Sequence, residues 1–281
     1  ATKLQQKSEP DVLRALQNKV PGVNIVGSNG IAGSATKINI RGTNTFFGNS
    51  QPLFVVDGIP YDNSEYSNAD GGRLSDGSGA FSSRAADIDP NNIESMTVLK
   101  GGAAAALYGT RASNGVILIT TKTGTNKKGS KAFEVSYGSS FSVEEVSGLP
   151  NYQNSYGTGS QNSAANANGS WGAPFGSVDS IATWPAYTSA FPSMAKKVAY
   201  RAYPDNVKNF FRTGSLFENT LSITGGIGEK TNMTAVVSHS KQNGYIPNTN
   251  FERFNVSVGG TSQLTSRFSL TSNLSFSNTL Q

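Results

Sequence analysis

One segment, residues 107–122, constrains the fold more than any other part of the chain. Its sequence, LYGTRASNGVILITTK, places a glycine-ended stretch, a turn closed by Gly115 and an apolar run directly after one another. A short apolar run that is bounded by turn residues is typical of a strand buried on both faces. We therefore predict a helix that ends at Gly109 and a buried strand over 115–121.

The sequence upstream of this segment predicts a compact mixed α/β unit. Ser8, Pro10 and Asp11 form a capping pattern, which predicts a helix over 8–20. Asp89 and Pro90 predict a second helical start, and the alanines of 101–109 predict a helix that lies close against a sheet. Further short strands are predicted at 23–26, 37–40 and 53–56, and the apolar residues after Pro90 supply contacts for the helical start and a strand: Ile93, Met96, Val98 and Leu99. The same pattern is also compatible with a small soluble α/β domain.

The second part of the chain contains segments in which apolar and small polar residues alternate. The alternation is sharpest at 132–143 and 267–280, and it is weaker at 221–227, 233–240 and 254–258. Segments of about ten residues with an apolar face and a small polar face are typical of transmembrane β-strands. A half-buried sheet of a soluble sandwich would show the same alternation. The sequence therefore predicts five antiparallel strands and leaves these two settings open.

The connections between the predicted strands alternate between short and long. The turns at 225–232 and 263–266 are short, whereas 242–252 is longer and 144–217 is a very long excursion. Outer-membrane barrels show this alternation, with short turns on the periplasmic side and long loops outside. Five strands cannot close a barrel, and a barrel that encloses a folded domain has roughly 22 strands. We therefore expect this chain to be part of a longer protein.

Composition and residue counts argue against catalysis, metal binding and nucleic-acid binding. His239 is the sole histidine and cysteine is absent, which excludes a histidine-based triad and a thiolate metal site. The spacing of the aspartates matches no calcium loop, so we expect solvated loop and cap residues at positions 57, 62, 70, 76, 87 and 89. The net charge of +5 is scattered along the chain rather than gathered on one face. We predict no enzyme activity and no cofactor.

Three motifs occur in order along the first part of the chain: Ile40-Arg41-Gly42, the strand and turn of 52–60, and the segment 107–122. This ordered set resembles the plug domain of TonB-dependent outer-membrane transporters, and the wording of the last motif resembles the SusC/RagA-like branch. The resemblance implies a mixed α/β plug domain at 1–127. It also implies the first five strands of a roughly 22-stranded barrel at 128–281, with a long extracellular loop at about 144–217.

The resemblance also implies a function, a location and partners. Members of this branch import oligosaccharides or peptides across the outer membrane of Gram-negative bacteria. A SusD-like surface lipoprotein closes the extracellular mouth, and the TonB complex of the inner membrane pulls on the plug. Outer-membrane lipid is then the surroundings of the strands, and two barrels often pair. No TonB-box peptide is recognisable before Leu4, so the contact with TonB is implied by the resemblance alone.

Candidate site residues fall into two groups. Arg41, Arg111 and Asp57 stand in the plug motifs, where we predict plug–barrel contacts or gating. For Arg41 we favour a buried or lumen-facing guanidinium that pairs with a carboxylate or with carbonyls, and for Asp57 turn chemistry. Aromatic and cationic residues of the two long loops are candidates for substrate contacts, and they are Tyr61, Tyr66, Arg73, Tyr152, Tyr156, Trp171 and Trp184. The aromatic residues are equally compatible with membrane-girdle or loop-core positions.

Two other functions remain compatible with the sequence. A SusC-like barrel can serve as a structural or gating subunit of a larger envelope or protein-secretion complex. A soluble surface β-domain that binds glycans is the third hypothesis. Loss of uptake on removal of TonB distinguishes the importer from the subunit, and solubility without detergent distinguishes the third hypothesis from both.

Overall fold

The structure is a computed structural model that describes residues 9, 11–27, 31–34, 36–42, 51–61, 63, 84–124, 133–165, 168–194, 196–227 and 230–281. The first part of the chain contains two small sheets. Its strands are β1 (Val23–Gly27), β2 (Thr36–Ile40), β3 (Leu53–Val56), β4 (Ile59–Tyr61), β5 (Ile93–Leu99) and β6 (Val116–Thr121). β1 and β2 form an antiparallel hairpin, and the second sheet has the order β4-β3-β6-β5 with β3 and β6 parallel.

The predicted buried strand is β6, which lies between two neighbours in the second sheet. Val116 and Ile117 are fully buried, as is Phe54 on the adjacent β3. Helix α1 (Gly102–Tyr108) ends at Gly109, and its Ala104 packs against Val55 and Val116 of the sheet. The small side chains of this helix thus allow the close approach that the sequence predicts.

The helix predicted over 8–20 is wrong in extent. Within the described part of this stretch, the helical structure is a single 3₁₀ turn, Arg14–Leu16, and the backbone leaves the helical region at Gln17. Asp11 accepts a hydrogen bond from the Leu13 amide (2.8 Å) and another from the Thr36 hydroxyl. It therefore caps a single turn and ties that turn to β2. The predicted apolar contacts are nevertheless made, since Val12, Leu13 and Leu16 are buried. Ser8 and Pro10 lie outside the described residues.

A second compact unit, residues 146–211, follows the long strand β7 (Glu134–Glu144). It contains short elements: β8 (Gly159–Ser160), β9 (Ser163–Ala164), β10 (Ser180–Ala182), α2 (Pro185–Ala190), β11 (Lys197–Ala199) and α3 (Asn206–Phe210). Tyr200 is buried in this unit, where its hydroxyl donates to the Ala173 carbonyl (2.8 Å) and its ring lies 5.1 Å from that of Phe175. We call residues 146–211 the loop unit.

Four more long strands complete a five-stranded antiparallel sheet, which we call the wall. They are β12 (Gly214–Ile227), β13 (Thr231–Asn243), β14 (Asn250–Gln263) and β15 (Ser269–Leu280), in the order β15-β14-β13-β12-β7. The five predicted strands are therefore present. β12 begins at Gly214, three residues before the predicted end of the long excursion at Phe217, because Gly214 already pairs with Glu144 of β7.

The two faces of the wall differ in polarity along the whole of its width. One register row on the outer face is entirely apolar: Tyr137, Leu221, Val237, Val256 and Phe276. A row on the inner face is polar: Ser140, Glu218, Ser240, Arg253 and Thr279. Val236 interrupts the alternation of β13 because it is an apolar residue on the inner face, where it is buried. None of the helices in the described ranges has the length and apolar composition that a membrane-spanning helix requires.

Candidate functional site at the plug–wall interface

Arg253 is the central residue of the contact between the first part of the chain and the wall. It lies on the inner face of β14 and is 1% exposed. Its Nη1 donates to the Ala86 carbonyl (2.8 Å), and its Nη2 lies 3.9 Å from Oδ1 of Asp89. Its guanidinium also stands 5.8 Å from the ring centre of Phe251 on the same strand. A buried guanidinium needs such partners because desolvation of an unpaired charge is costly.

Asp89 joins this arginine to a neighbouring strand of the wall. It caps the 3₁₀ turn Pro90–Asn92 by accepting from the Asn91 amide (2.9 Å). Its Oδ2 accepts a hydrogen bond from Oγ of Ser238 on β13 (2.6 Å). The sequence predicts the capping role but also predicts a solvated side chain, and that part is wrong. Asp89 is 6% exposed because β13 and β14 cover it with one hydroxyl and one guanidinium.

Strand β15 makes a second set of polar contacts. Asp57 accepts from the amide (2.9 Å) and the hydroxyl (2.6 Å) of Thr121, and from Nδ2 of Asn273 on β15 (3.0 Å). Thr279 donates to Asp87 (2.9 Å), and Gln281 donates to the Ala32 carbonyl (3.0 Å). The described interface is therefore held largely by hydroxyl, amide and carboxylate groups.

Asp57 has a backbone role as well as a contact with the wall. Its φ is +50°, and Gly58 follows with a φ of +85°, so the pair forms the turn between β3 and β4. This is the turn chemistry that the sequence predicts for an Asp-Gly pair. The same carboxylate meets Asn273, so one residue shapes the turn and touches the wall. Its part in gating stays a prediction.

A small cavity lies beside Arg253, between the first turn of the chain and the wall. Its volume is about 20 Å³, enough for one water molecule, and its lining comprises Asp11, Arg14, Gly33, Ser34, Ala86, Gln242 and Phe251. Burial raises the pKa of the Asp11 carboxyl, and hydrogen bonds from Thr36 and Leu13 and the charges of Arg14 and Arg253 offset part of that effect. Burial likewise lowers the pKa of the Lys122 ammonium, against the attraction of Asp89 and Glu94.

The two arginines of the plug motifs are exposed. Arg41 has a φ of +59° in the turn after β2, and its Nη1 lies near Gly101 at the start of α1. Burial of Arg41 is therefore not observed, because the left-handed turn places this residue beyond the end of the hairpin. Arg111 is exposed in the 3₁₀ turn Thr110–Ala112. Contacts of either arginine with a barrel stay predictions.

Of the candidate substrate-contacting residues in the first long loop, Tyr61 is the one within the described residues. It is half-buried against the core, its hydroxyl donates to the Arg84 carbonyl (3.2 Å), and the Arg84 guanidinium lies 5.3 Å from its ring centre. These contacts give Tyr61 a packing role. Tyr66 and Arg73 lie outside the described residues.

The structure brings two candidate residues of the loop unit together. The rings of Tyr156 and Trp171 lie 5.5 Å apart at an angle of 48°. Tyr152 is exposed, and Trp184 is exposed at the N-terminal end of α2. Substrate contact by any of these four residues stays a prediction.

Sequence reasoning missed the polar partners that the wall contributes. These partners are Ser238, Arg253 and Asn273, and each occupies a polar position of an alternating strand. Nothing local distinguishes Ser238 or Asn273 from the small polar residues around them. One signal was available for Arg253, because a charged residue in an alternating strand needs either solvent or a partner. Its partner Asp89 is far away in the chain, so the sequence does not reveal the pair.

Comparison with known proteins identifies the class of this fold. The TonB-dependent receptor plug domain family matches residues 1–116. The RagAB peptide importer has the same fold in its closed-closed state, with a TM-score of 0.70 at 23% identity over 99% of this chain and 30% of that chain. The siderophore receptor PirA from Acinetobacter baumannii matches with a TM-score of 0.52 at 18% identity, over 97% of this chain and 29% of that chain. The chain is thus a plug domain followed by antiparallel barrel strands, as predicted.

Curated relatives narrow the class to one branch. TonB-dependent receptor SusC of Bacteroides thetaiotaomicron is 31% identical over 244 residues, which cover 86% of this chain and 20% of that protein. TonB-dependent receptor P39 of Formosa agariphila is 39% identical over 132 residues, 47% of this chain and 10% of that protein. By these matches the chain is SusC-like, and its residues 1–116 match the plug domain of the TonB-dependent receptors. It spans about a fifth of the length of SusC.

Proposed function

We propose that this chain forms the gate and the first part of the wall of a TonB-dependent importer in the outer membrane of a Gram-negative bacterium. The observation that carries the proposal is the seating of the plug on the inner, polar face of the wall through Arg253, Ser238 and Asn273. The apolar outer face supports a lipid-facing wall, because outer-membrane strands place apolar residues outward. The match to SusC supports the same reading.

The chemistry of the interface suits a plug that moves. A hydrogen bond inside a protein contributes about 0.5–1.5 kcal/mol net, because water replaces the partner when the bond breaks. The contacts Asp57–Asn273 and Asp87–Thr279 can therefore be exchanged for water at small cost. The buried pair of Arg253 and Asp89 is the costly contact of the set, since each charge needs the other while it is buried.

The energy source, the cargo and the partner follow from the family. TonB would supply the pull that displaces the plug, and a SusD-like lipoprotein would close the extracellular side. Oligosaccharides and peptides are the two cargo classes of this branch, and the solved structure that this chain resembles is titled a peptide importer. Paired barrels are a further expectation from the family.

The test is uptake by cells that carry or lack TonB. The native full-length protein is expressed in a strain without other transporters of this branch, and growth on a panel of oligosaccharides and peptides is compared after deletion of tonB. Loss of growth on one cargo supports the importer. Unchanged growth, together with loss of an envelope complex when the gene is deleted, would instead support a structural or gating subunit.

A further inference from the structure

The loop unit presents a pair of aromatic rings whose chemistry the plug and wall do not use. Trp171 is 63% exposed, and the ring of Tyr156 stands 5.5 Å from it at 48°. Two rings at this angle form an open corner rather than a flat stack. Exposure of a tryptophan costs free energy that burial would recover, so an exposed Trp171 held beside the half-buried Tyr156 indicates a surface that gains contacts when something binds.

The backbone holds the two rings in place. The Gly172 amide donates to the Gly157 carbonyl (3.0 Å), and the Trp171 amide donates to the Gly159 carbonyl (3.3 Å). The segments that carry the rings therefore pair directly. A Cβ atom at Gly172 would lie 2.1 Å from the Thr158 carbonyl oxygen, so this close approach requires glycine. The pair is consequently organised before any ligand arrives, which lowers the entropic cost of binding.

Gln153 ties both segments together with its carboxamide. Its Nε2 donates to the carbonyls of Tyr156 and Ser170, each at 2.8 Å, and its Oε1 accepts from the amides of Ser155 and Tyr156, each at 2.9 Å. These four hydrogen bonds connect the residue before Trp171 to Tyr156 itself. Gln153 is therefore a positioning residue for the aromatic pair.

The charge of the surrounding sequence selects the class of ligand. Residues 146–178 contain no Asp, Glu, Lys, Arg or His, while Asn, Ser and Gly are frequent. A short peptide carries charged termini, which are recognised by opposite charges or by strong charge-assisted hydrogen bonds. A neutral sugar instead offers hydroxyl groups to amide and hydroxyl side chains, and the C–H groups of its ring face meet the negative face of an aromatic ring.

We propose that Tyr156 and Trp171, positioned by Gln153, form a subsite for a neutral oligosaccharide. The inference rests on the proposed importer function and names the cargo class that its loop unit takes. Tyr156 and Trp171 contact the face of one sugar residue, and the uncharged amide and hydroxyl groups around them hydrogen-bond its hydroxyls. Charged oligosaccharides and peptides bind elsewhere or not at all.

The test is a binding measurement on the native full-length protein in detergent, without TonB. Isothermal titration is carried out with neutral hexasaccharides of glucose, mannose and xylose in different linkages, and with neutral and charged hexapeptides. For the neutral glycan that binds, Trp171→Ala is expected to weaken affinity by about tenfold or more, the scale of one lost aromatic contact. Phe191→Ala is the matched control, since Phe191 is 55% exposed in the loop unit and belongs to a different ring pair, with Tyr187 at 5.2 Å and 52°.

Gln153 supplies a second, independent variant. Gln153→Ala removes the four hydrogen bonds that hold the corner, and it should weaken the affinity for the same glycan severalfold, while the affinity of Phe191→Ala stays at the native value. Gln153→Glu keeps an acceptor for the two amides but loses both donors, so its affinity should fall between the native value and that of Gln153→Ala. Equal affinities for Gln153→Ala and the native protein would overturn the positioning role.

The outcomes separate this inference from the proposed function. If the purified protein binds a neutral glycan and Trp171→Ala loses that binding, the subsite is supported. If uptake in cells does not need TonB, the importer is overturned, whatever the binding result. Uptake that needs TonB supports the importer. The subsite is overturned if peptides are the sole ligands or if Trp171→Ala and Phe191→Ala lose glycan affinity equally. Binding of no neutral glycan in the panel also overturns the subsite.

Discussion

At the scale of single residues, the interface depends on a few buried polar groups whose partners are distant in the chain. Arg253 and Asp89 are both almost fully buried, and each has lost the solvation that it would have in water. Removal of one partner of such a pair leaves an unpaired buried charge. The pair is therefore more sensitive to substitution than the hydrogen bonds of β15.

Arg253→Met is expected to loosen the plug by about 3–5 kcal/mol, because the Asp89 carboxylate stays buried without its counter-charge. Hydrogen exchange of β5, which directly follows the Asp89 turn, measures the loss of protection. The double variant Arg253→Met with Asp89→Asn should recover part of it. Lys241→Met removes a charge from an exposed position on the outer face and is the control. Equal protection of the β5 amides in Arg253→Met and in Lys241→Met would contradict this account.

Asp11 gives the plug a pH dependence of defined sign. Burial raises the pKa of this carboxyl above its ordinary value of 3.8, so the folded state holds its proton more tightly than the unfolded state. The contribution of Asp11 to the free energy of unfolding therefore falls as pH rises from about 3.8, the pKa of the unfolded state, through the raised pKa of the folded state. Above the raised pKa this contribution is constant. Exchange of β2 amides, corrected for the intrinsic rate at each pH, should show this fall. Asp11→Asn keeps an acceptor for Leu13 and should remove it.

At the scale of elements, close approach between strands depends on glycine at a defined position. Gly115 precedes β6 with a φ of +96°, and a Cβ there would lie 2.7 Å from Cδ1 of Ile40 and 3.0 Å from the Leu99 carbonyl oxygen. Glycine at 115, in the turn inside the motif of 107–122, therefore allows both the positive φ and the close approach of the hairpin residue Ile40. This is why the motif needs glycine and not merely a small residue.

Gly115→Ala is expected to cost about 1–3 kcal/mol, since it adds backbone strain to a steric overlap with β2 and β5. Gly138→Ala in β7 is the matched control, because nothing lies within 4 Å of its Cβ position and its φ is not in the left-handed region. Thermal unfolding of the purified protein, followed by exchange of β6 amides, compares the two. An equal effect of both substitutions would show that the overlap at Gly115 relaxes freely.

The two faces of β7 provide a test of the lipid-facing wall. Val135 and Ser136 are adjacent and both exposed in this chain, on the outer and the inner face respectively. Val135→Lys should be more destabilising in a bilayer than Ser136→Lys, because a lysine on the lipid face costs from about 0–1 kcal/mol near the membrane interface to about 2–4 kcal/mol at the midplane. Folding into lipid vesicles, followed by electrophoretic mobility without heating, measures the difference. Equal tolerance of both lysines would favour a soluble sheet.

At the scale of the whole molecule, the plug and the wall are joined by contacts from several strands at once. Ser238 on β13 and Arg253 on β14 both meet Asp89, and Asn273 on β15 meets Asp57. Under the proposed importer function, displacement of the plug would break these contacts together or in sequence. This chain contains no cysteine, so thiols introduced at the interface would be the only ones among its residues.

A covalent link across the interface should stop transport. Asp89→Cys with Ser238→Cys, oxidised by a thiol-oxidising reagent to a direct disulfide, links side chains whose oxygens lie 2.6 Å apart in the native pair. Uptake in cells is expected to fall to the level of a strain without TonB. The two single-cysteine variants, treated with the same reagent, should retain more uptake than the linked form. Full uptake by the linked protein would mean that cargo passes without separation of these residues.

The sequence by itself determined the elements and their faces. The apolar run of β6, the glycine that precedes it and the alternation of β7 and β15 are local patterns, and turn chemistry and side-chain period follow from neighbours in the chain. Resemblance of three ordered motifs was enough to place the chain in its family, and the matches to plug domains and SusC confirm that placement.

Tertiary structure alone decided which polar residues meet. Asp89 was predicted to be solvated, and it is buried because β13 and β14 bring Ser238 and Arg253 to it across a long separation in sequence. Arg41 was predicted to be buried or to face the lumen; its side chain is not buried in this chain, because a left-handed turn ends its hairpin, and a position facing the lumen stays a prediction. The physical reason is the same in both cases: burial and pairing depend on strand register and on the seating of the plug, which local patterns do not contain.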